Sequence, residues 1–209
     1  MKPKELIRLS GLVTIINGVL LLGFGILPEL LLPMKEPLLN WVNDSQWFIL
    51  NFLAYLLTVL TPLSILGLYA KQVEKIGKLG IIGLLLVYLG GMLYVGVQFD
   101  EAFTWPILAN HSPRLIDIEG PLFTDPAFSI AYLLMAVIFI PGLIMFCIAT
   151  VRAKVLPKWG AILLAVGGPF AYGGIMIPQM LRASGAVFGA IGFIWLGLAL
   201  FRDKNKITV

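Results

Sequence analysis

KLGIIGLLLVYLGGMLYVGVQFDEAFTWP, residues 78–106, decides the fold. No charged side chain lies between Lys78 and Asp100, and about 20 helical residues cross a bilayer core of roughly 30 Å. In lipid the backbone has to satisfy its own N–H and C=O groups, so such a run reads as a transmembrane α-helix. At its far end polar residues arrive together: Gln98, Asp100, Glu101 and then Trp105.

The rest of the chain repeats this pattern. Of 209 residues, 59% are hydrophobic and 12% charged, with a mean hydropathy of +0.97. A soluble domain of that length needs more polar surface. Six apolar segments stand out, at 9–28, 47–70, 77–99, 127–151, 159–179 and 184–201. The expected fold is therefore all-α: one polytopic six-helix bundle over residues 1–209, with no separate soluble domain. The N-terminus is basic and then apolar, like a signal peptide. Its apolar run is too long for one and no A-x-A-like site follows, so it reads as a retained first helix.

Charge sets the expected orientation. Lys2, Lys4 and Arg8, then Lys71, Lys75 and Lys78, then Arg152, Lys154 and Lys158, then Arg202, Lys204 and Lys206 occupy alternate connections and tails. Those twelve leave only Lys35, Arg114 and Arg182 of the 15 basic residues for the other side. That other side carries Glu29, Glu36, Asp44, Asp100, Glu101, Asp117, Glu119 and Asp125. By the positive-inside rule both termini are cytoplasmic, in a plasma membrane, and 29–46 and 100–126 are outer loops. This distribution accounts for the net charge of +4. No basic run is interleaved with aromatics, so nucleic acid is excluded as a partner. Trp41 and Trp47 in the first outer connection are expected at headgroup depth, flanking an interfacial helix. The short inner loops and small size read as prokaryotic, so the triplets Asn43-Asp44-Ser45 and Asn110-His111-Ser112 are not expected to carry glycans.

Helical spacing places Tyr94, Gln98, Glu101 and Trp105 on one face of the third span. Tyr172, Met176, Gln179 and Arg182 make a similar stripe on the fifth. Ionisable groups close to a membrane are costly and usually face the bundle interior. Arg182 is thus expected to pair with Glu101 or Glu29 at an outward-facing mouth, above Tyr94, Gln98, Tyr172 and Gln179. The alternative is plain interfacial polarity, with acids meeting water and an arginine snorkelling.

Other features carry less chemistry. Asp100, Glu101 and His111 are the acid–base candidates of an enzyme reading. His111 with Asp117 and Glu119 matches no metal-ligand spacing, and no metal or cofactor is expected. One histidine excludes bis-histidine haem ligation. The single cysteine, Cys147, excludes an internal disulfide or thiol pair. Asn17, inside the first span, reads as an interhelical hydrogen-bonding group. Gly185-x-x-x-Gly189 on the sixth span allows close helix approach, within the monomer or toward a homodimer or partner membrane subunit. Pro169 should kink the fifth span. Residues 78–98 and 158–179 share a Lys-x-Gly start, a Gly-Gly pair and a terminal glutamine, as a parallel repeat of two hairpins would.

The turn RAKVLPKWGAILLAVGG, residues 152–168, resembles one found in uncharacterised bacterial six-span membrane proteins, through Arg-x-x-Val-Leu-Pro-x-Trp. The resemblance covers about 17 residues and implies a prokaryotic multi-pass protein without an assigned activity. The size and span number also resemble substrate-binding subunits of energy-coupling vitamin transporters, whose Ala-x-x-x-Ala pattern on span one is replaced here by SGLVTIINGVLLLGFG.

Three functions are expected to compete. The first is binding or passage of a small amphipathic or lipid-like molecule, at Tyr94, Gln98, Glu101, Trp105, Tyr172, Gln179 and Arg182, with membrane lipids as surroundings and source. The second is an accessory subunit docking through Gly185 and Gly189. The third is an enzyme working at the outer surface.

Overall fold

A computed structural model describes residues 3–33, 36–173 and 177–202. Lys2, Lys35, Gly174, Met176, Lys204, Lys206 and the side chain of Lys4 lie outside the described residues. Among the described residues, five helices are long and apolar enough to cross a membrane. They are α1 (Pro3–Leu31), α3 (Trp47–Lys71), α4 (Gly77–Phe99), α7 (Pro126–Ala153) and α9 (Gln179–Phe201). Between them lie the short helices α2 (Leu38–Asn43), α5 (Trp105–His111) and α6 (Pro121–Thr124), and α8 (Lys158–Ala171).

The ends follow from local chemistry. Asp125 caps α7, its side chain accepting from the N–H of Ala127 at 2.8 Å, and Pro126 takes the first position, where no N–H is needed. Lys154 closes α7 with φ 54°. Pro157 and Pro178 immediately precede α8 and α9.

The fifth expected span, 159–179, is corrected. Its helix ends at Ala171 after 14 residues, a rise of about 21 Å against a core of roughly 30 Å. Pro169, then Gly173 and Pro178, weaken or forbid continuation. Gln179 is instead the first residue of α9, so Tyr172, Gln179 and Arg182 do not share one helical stripe. The matching segment of the internal similarity, α4, stays helical for 23 residues to Phe99, whereas α8 ends after 14.

The six main helices form a closed ring in which each packs on its neighbours in sequence, with α9 returning to α1 and α7 meeting α8. Small residues set the distances. On α1, Gly11 faces the backbone of Gly197 and Phe201, and Gly18 faces Ala190 and Ile194. On α4, Gly90 faces Phe139 of α7 so closely that a Cβ would sit 2.7 Å from its Cα. Gly185 and Gly189 face Gly167 and Phe170 of α8 and Leu21 of α1, and both are buried. Of the two expectations for this small-residue pair, packing within the monomer is the one these contacts match.

Alternate connections gather at opposite ends. At the basic end, Arg8 lies over the ring of Phe201 at 5.2 Å, and Gln72 donates to Thr150 at 2.8 Å. At the acidic end, Trp47, Glu101 and Tyr132 meet. The main core runs through the ring and is built from residues such as Leu21, Ile65, Phe139, Phe146 and Phe193. Leu85, Leu89, Met92, Leu133 and Val137 point outward and stay exposed, as lipid-facing side chains do.

A second apolar core caps the acidic end. Leu38 and Val42 of α2, Trp47 and Leu50 of α3, Trp105 and Ala109 of α5, and Ile116 pack together. The connection over 100–126 is therefore anchored on the bundle through Trp105, Ala109 and Ile116, while 110–114 and 117–119 are exposed. Trp47, expected at headgroup depth, packs into this cap. It is buried and stacked on Trp105, with centroids 6.0 Å apart and planes at 14°. Trp41 is partly buried, its Nε1 donating to the carbonyl of Glu36 at 2.8 Å.

Candidate functional site

The third span does not end at Phe99. A single π-helical turn, Asp100–Thr104, joins it to α5, with the N–H of Trp105 bonded to the carbonyl of Asp100. Such turns wedge one extra residue into a helix and are frequent at functional sites. Here the turn keeps Gln98 and Trp105 buried on the inner face and brings Glu101 to the same side, while Asp100 faces outward.

Glu101 is the centre of the local network. Its Oε2 accepts from Gln98 Nε2 at 2.7 Å, and its Oε1 accepts from the Tyr132 hydroxyl at 3.2 Å. Its backbone carbonyl accepts from Trp47 Nε1 at 2.9 Å. Gln98 Nε2 also lies 3.5 Å from Asn51 Oδ1, and Asn51 Nδ2 donates to the carbonyl of Trp47 at 3.0 Å. Thus α3, α4 and α7 are joined around one carboxylate.

Beside it is a cavity of about 100 Å³. Its polar lining is Glu29, Asn51, Glu101 and Arg182; Trp41 and Trp47 bound it, and Phe24, Leu50 and Ala186 supply apolar walls. Glu29 is exposed at the rim, whereas Arg182 and Glu101 are partly buried. The expected outer grouping of Glu29, Glu101 and Arg182 is thus present. The expected direct ion pair is not: among the described residues Arg182 makes no contact with either carboxylate at salt-bridge distance, and the three surround a space instead.

Inward of the cavity lies a second polar layer. Asn17 Nδ2 donates to Thr61 Oγ1 at 3.0 Å, as its position within span one led us to expect, and the Tyr172 hydroxyl is 2.9 Å from the same oxygen. The Tyr94 hydroxyl donates to the backbone carbonyl of Tyr172, the residue that ends α8. A helix terminus inside an apolar bundle leaves carbonyls that need partners, and Tyr94 supplies one. Tyr94, Phe139 and Tyr172 pack ring against ring, with centroids 4.9–5.7 Å apart.

Of the seven residues expected to bind a ligand, Glu101 and Arg182 line the cavity. Gln98 and Trp105 do not line it but contact residues that do, Glu101 and Trp47, and Tyr94 and Tyr172 belong to the polar layer further in. Gln179 is partly buried at the start of α9 and does not line it. Asp100 is exposed, accepting from Thr104 at 3.1 Å. His111 is also exposed and makes no side-chain hydrogen bond among the described residues. These two and Glu101 do not converge on one reacting position. Among the described residues no three His, Cys, Asp or Glu side chains gather as metal ligands would. Sequence reasoning passed over Asn51, Trp47 and Tyr132 as site residues; the available signal was an amide, Asn51, inside an apolar span.

Comparison with known proteins adds no relative: no family model matches the chain, and no curated protein or solved structure does.

Proposed function

We propose that this is a multi-pass protein of a prokaryotic plasma membrane, with six crossings and both termini in the cytoplasm, that binds a small amphipathic or lipid-like molecule at its outer mouth. One observation carries the reading: Glu29, Glu101 and Arg182 surround a common cavity without neutralising one another at contact distance, between two tryptophans and an apolar wall. Buried or half-buried charges in proteins are ordinarily paired. Charges held apart around an open space are arranged for something that enters it.

The sixth crossing rests on charge and connectivity. The N-terminal end of α8 lies at the basic end and that of α9 begins near the acidic end, so residues 158–178 have to complete a passage that α8 makes only in part. Non-helical backbone at such depth is tolerated where protein or a cavity surrounds it, and Tyr94 is placed to satisfy the end of α8. Gly185 and Gly189, the pair on which the accessory-subunit alternative rests, face α8 and α1, which supports the binding reading over it.

The test is native mass spectrometry of the protein gently extracted from its own membrane, beside Arg182→Ala. A small bound mass that disappears in the variant is the expected result. A partner protein at fixed stoichiometry, retained by the variant, would replace this reading with the accessory one.

A further inference from the structure

Glu101 and Arg182 have opposite deficits. A carboxylate offers about four lone-pair positions; Glu101 uses one toward Gln98 and one toward Tyr132, both neutral donors. Arg182 carries five N–H donors, none of them on an acceptor among the described residues, and its planar fork matches phosphate or carboxylate. One cavity therefore presents a half-satisfied anion, an unsatisfied guanidinium and a second carboxylate, Glu29, at the rim. The indole N–H groups of Trp41 and Trp47 are spent on the backbone carbonyls of Glu36 and Glu101. What these side chains can offer a ligand is ring surface, which attracts cations.

We propose that the cavity takes the zwitterionic head of an amphiphile that bears a primary ammonium beside a phosphate, the ammonium donating to Glu101 and the phosphate meeting Arg182. This rests on the mouth being a binding site and adds the class of head. The open positions on Glu101 call for N–H donors, which a quaternary ammonium lacks. The cavity of about 100 Å³ also suits a small head better than a trimethylated one. Apolar side chains on the outer faces of the ring, exposed as for lipid, leave the acyl part of such a molecule in its ordinary surroundings.

The experiment uses the full chain in mild detergent and short-chain phosphatidylethanolamine, its mono- and dimethyl forms, phosphatidylcholine and phosphatidylglycerol, mixed at equal concentration and read by native mass spectrometry. Occupancy should fall along the methylation series in the wild-type protein, a measurement that needs no variant. Glu101→Gln should weaken the ethanolamine lipid about tenfold, the loss of one charge-assisted hydrogen bond, and erase its advantage over the glycerol lipid. Arg182→Ala should weaken both. Displacement by free phosphoethanolamine would identify the head alone as sufficient, and failure to displace would identify the lipid as the source; either supports the proposed chemistry. Equal occupancy across the methylation series, with loss only in Arg182→Ala, would overturn the ammonium assignment and leave the mouth as an anionic-lipid site. No lipid whose occupancy depends on Arg182 would overturn both.

Discussion

Replacing Thr61 by Val tests the polar layer beneath the cavity. The Thr61 hydroxyl lies 2.8 Å from the carbonyl of Leu57, 3.0 Å from Asn17 Nδ2 and 2.9 Å from the Tyr172 hydroxyl. A hydroxyl has one proton and two lone pairs. Donating to Leu57 and accepting from Asn17 and Tyr172 therefore saturates it, and joins α1, α3 and the end of α8 through a single atom. Valine keeps the shape and deletes that atom. Interhelical hydrogen bonds in membrane bundles average about 0.6 kcal/mol and reach about 1.7 kcal/mol. Losing two of them, with Asn17 and Tyr172 left buried, should cost about 1–3 kcal/mol. The assay is reversible unfolding in bicelles, run as a double-mutant cycle with Asn17→Leu. Once Asn17 is gone, Thr61→Val should cost less by the energy of that one bond. A Thr61→Val protein as stable as the wild type, or one whose cost is unchanged in the Asn17→Leu background, would refute the idea that this atom holds three helices together.

Three further outcomes follow from packing and charge. Gly90→Ala puts a Cβ 2.7 Å from the Cα of Phe139, whereas Gly96 has nothing within 4 Å of such an atom. The first should therefore lose about 1–3 kcal/mol by pushing α4 off α7, and the second should gain up to about 1 kcal/mol from helix propensity, both read as shifts in melting temperature. Gln72 donates to Thr150 at the basic end while its buried Oε1 has no hydrogen-bond partner among the described residues. Gln72→Leu or Thr150→Val alone should destabilise by leaving the other partner unpaired, and the double variant should recover to about the wild-type melting temperature. A green fluorescent protein fused after Val209 should fluoresce, and an alkaline phosphatase fused there should stay inactive, if the C-terminus is cytoplasmic; the reverse pattern would overturn the orientation read from charge.

The long helices were legible because bilayer-length apolar runs bounded by charge, proline or glycine leave the backbone one choice. The expected 47–70 and 77–99 meet Trp47–Lys71 and Gly77–Phe99, and 127–151 meets Pro126–Ala153. The fifth span was not legible in the same way. Hydropathy continues smoothly through AYGGIMIPQ, but Gly173 and Pro178 govern whether a helix can persist there, and hydropathy does not register that. The error moved Gln179 and Arg182 onto the wrong helix, yet Arg182 still reached the cavity, because the start of α9 and the end of α8 share one region of the bundle. The acidic-end cap was hidden for another reason. Trp47, Trp105, Leu38 and Ile116 are scattered over two connections, and their meeting depends on tertiary packing that no local period encodes. The π turn belongs in the same class, since its extra residue is visible only as a shift of register after Phe99.

Whether a bound molecule also passes through depends on what lies inward of the mouth. Asn51 lines the cavity and Thr61 lies ten residues further along α3, about 15 Å deeper by helical rise. At that depth Asn17, Thr61, Tyr172, Tyr94 and Phe139 touch one another, and beyond them Ile65, Leu68, Val87, Leu143, Phe146 and Leu164 are all essentially inaccessible. Protein interiors packed at this density do not deform continuously. Passage would require the aromatic floor to separate and the hydrogen bonds on Thr61 to break, whereas binding requires only that the Trp41 side of the mouth admit a head. On the proposed reading, this packing favours a receptor-like site over a conduit. The two readings part at the floor: a conduit should work faster when Thr61→Val loosens it, while a site closed from below should keep its occupancy and pass nothing in either form.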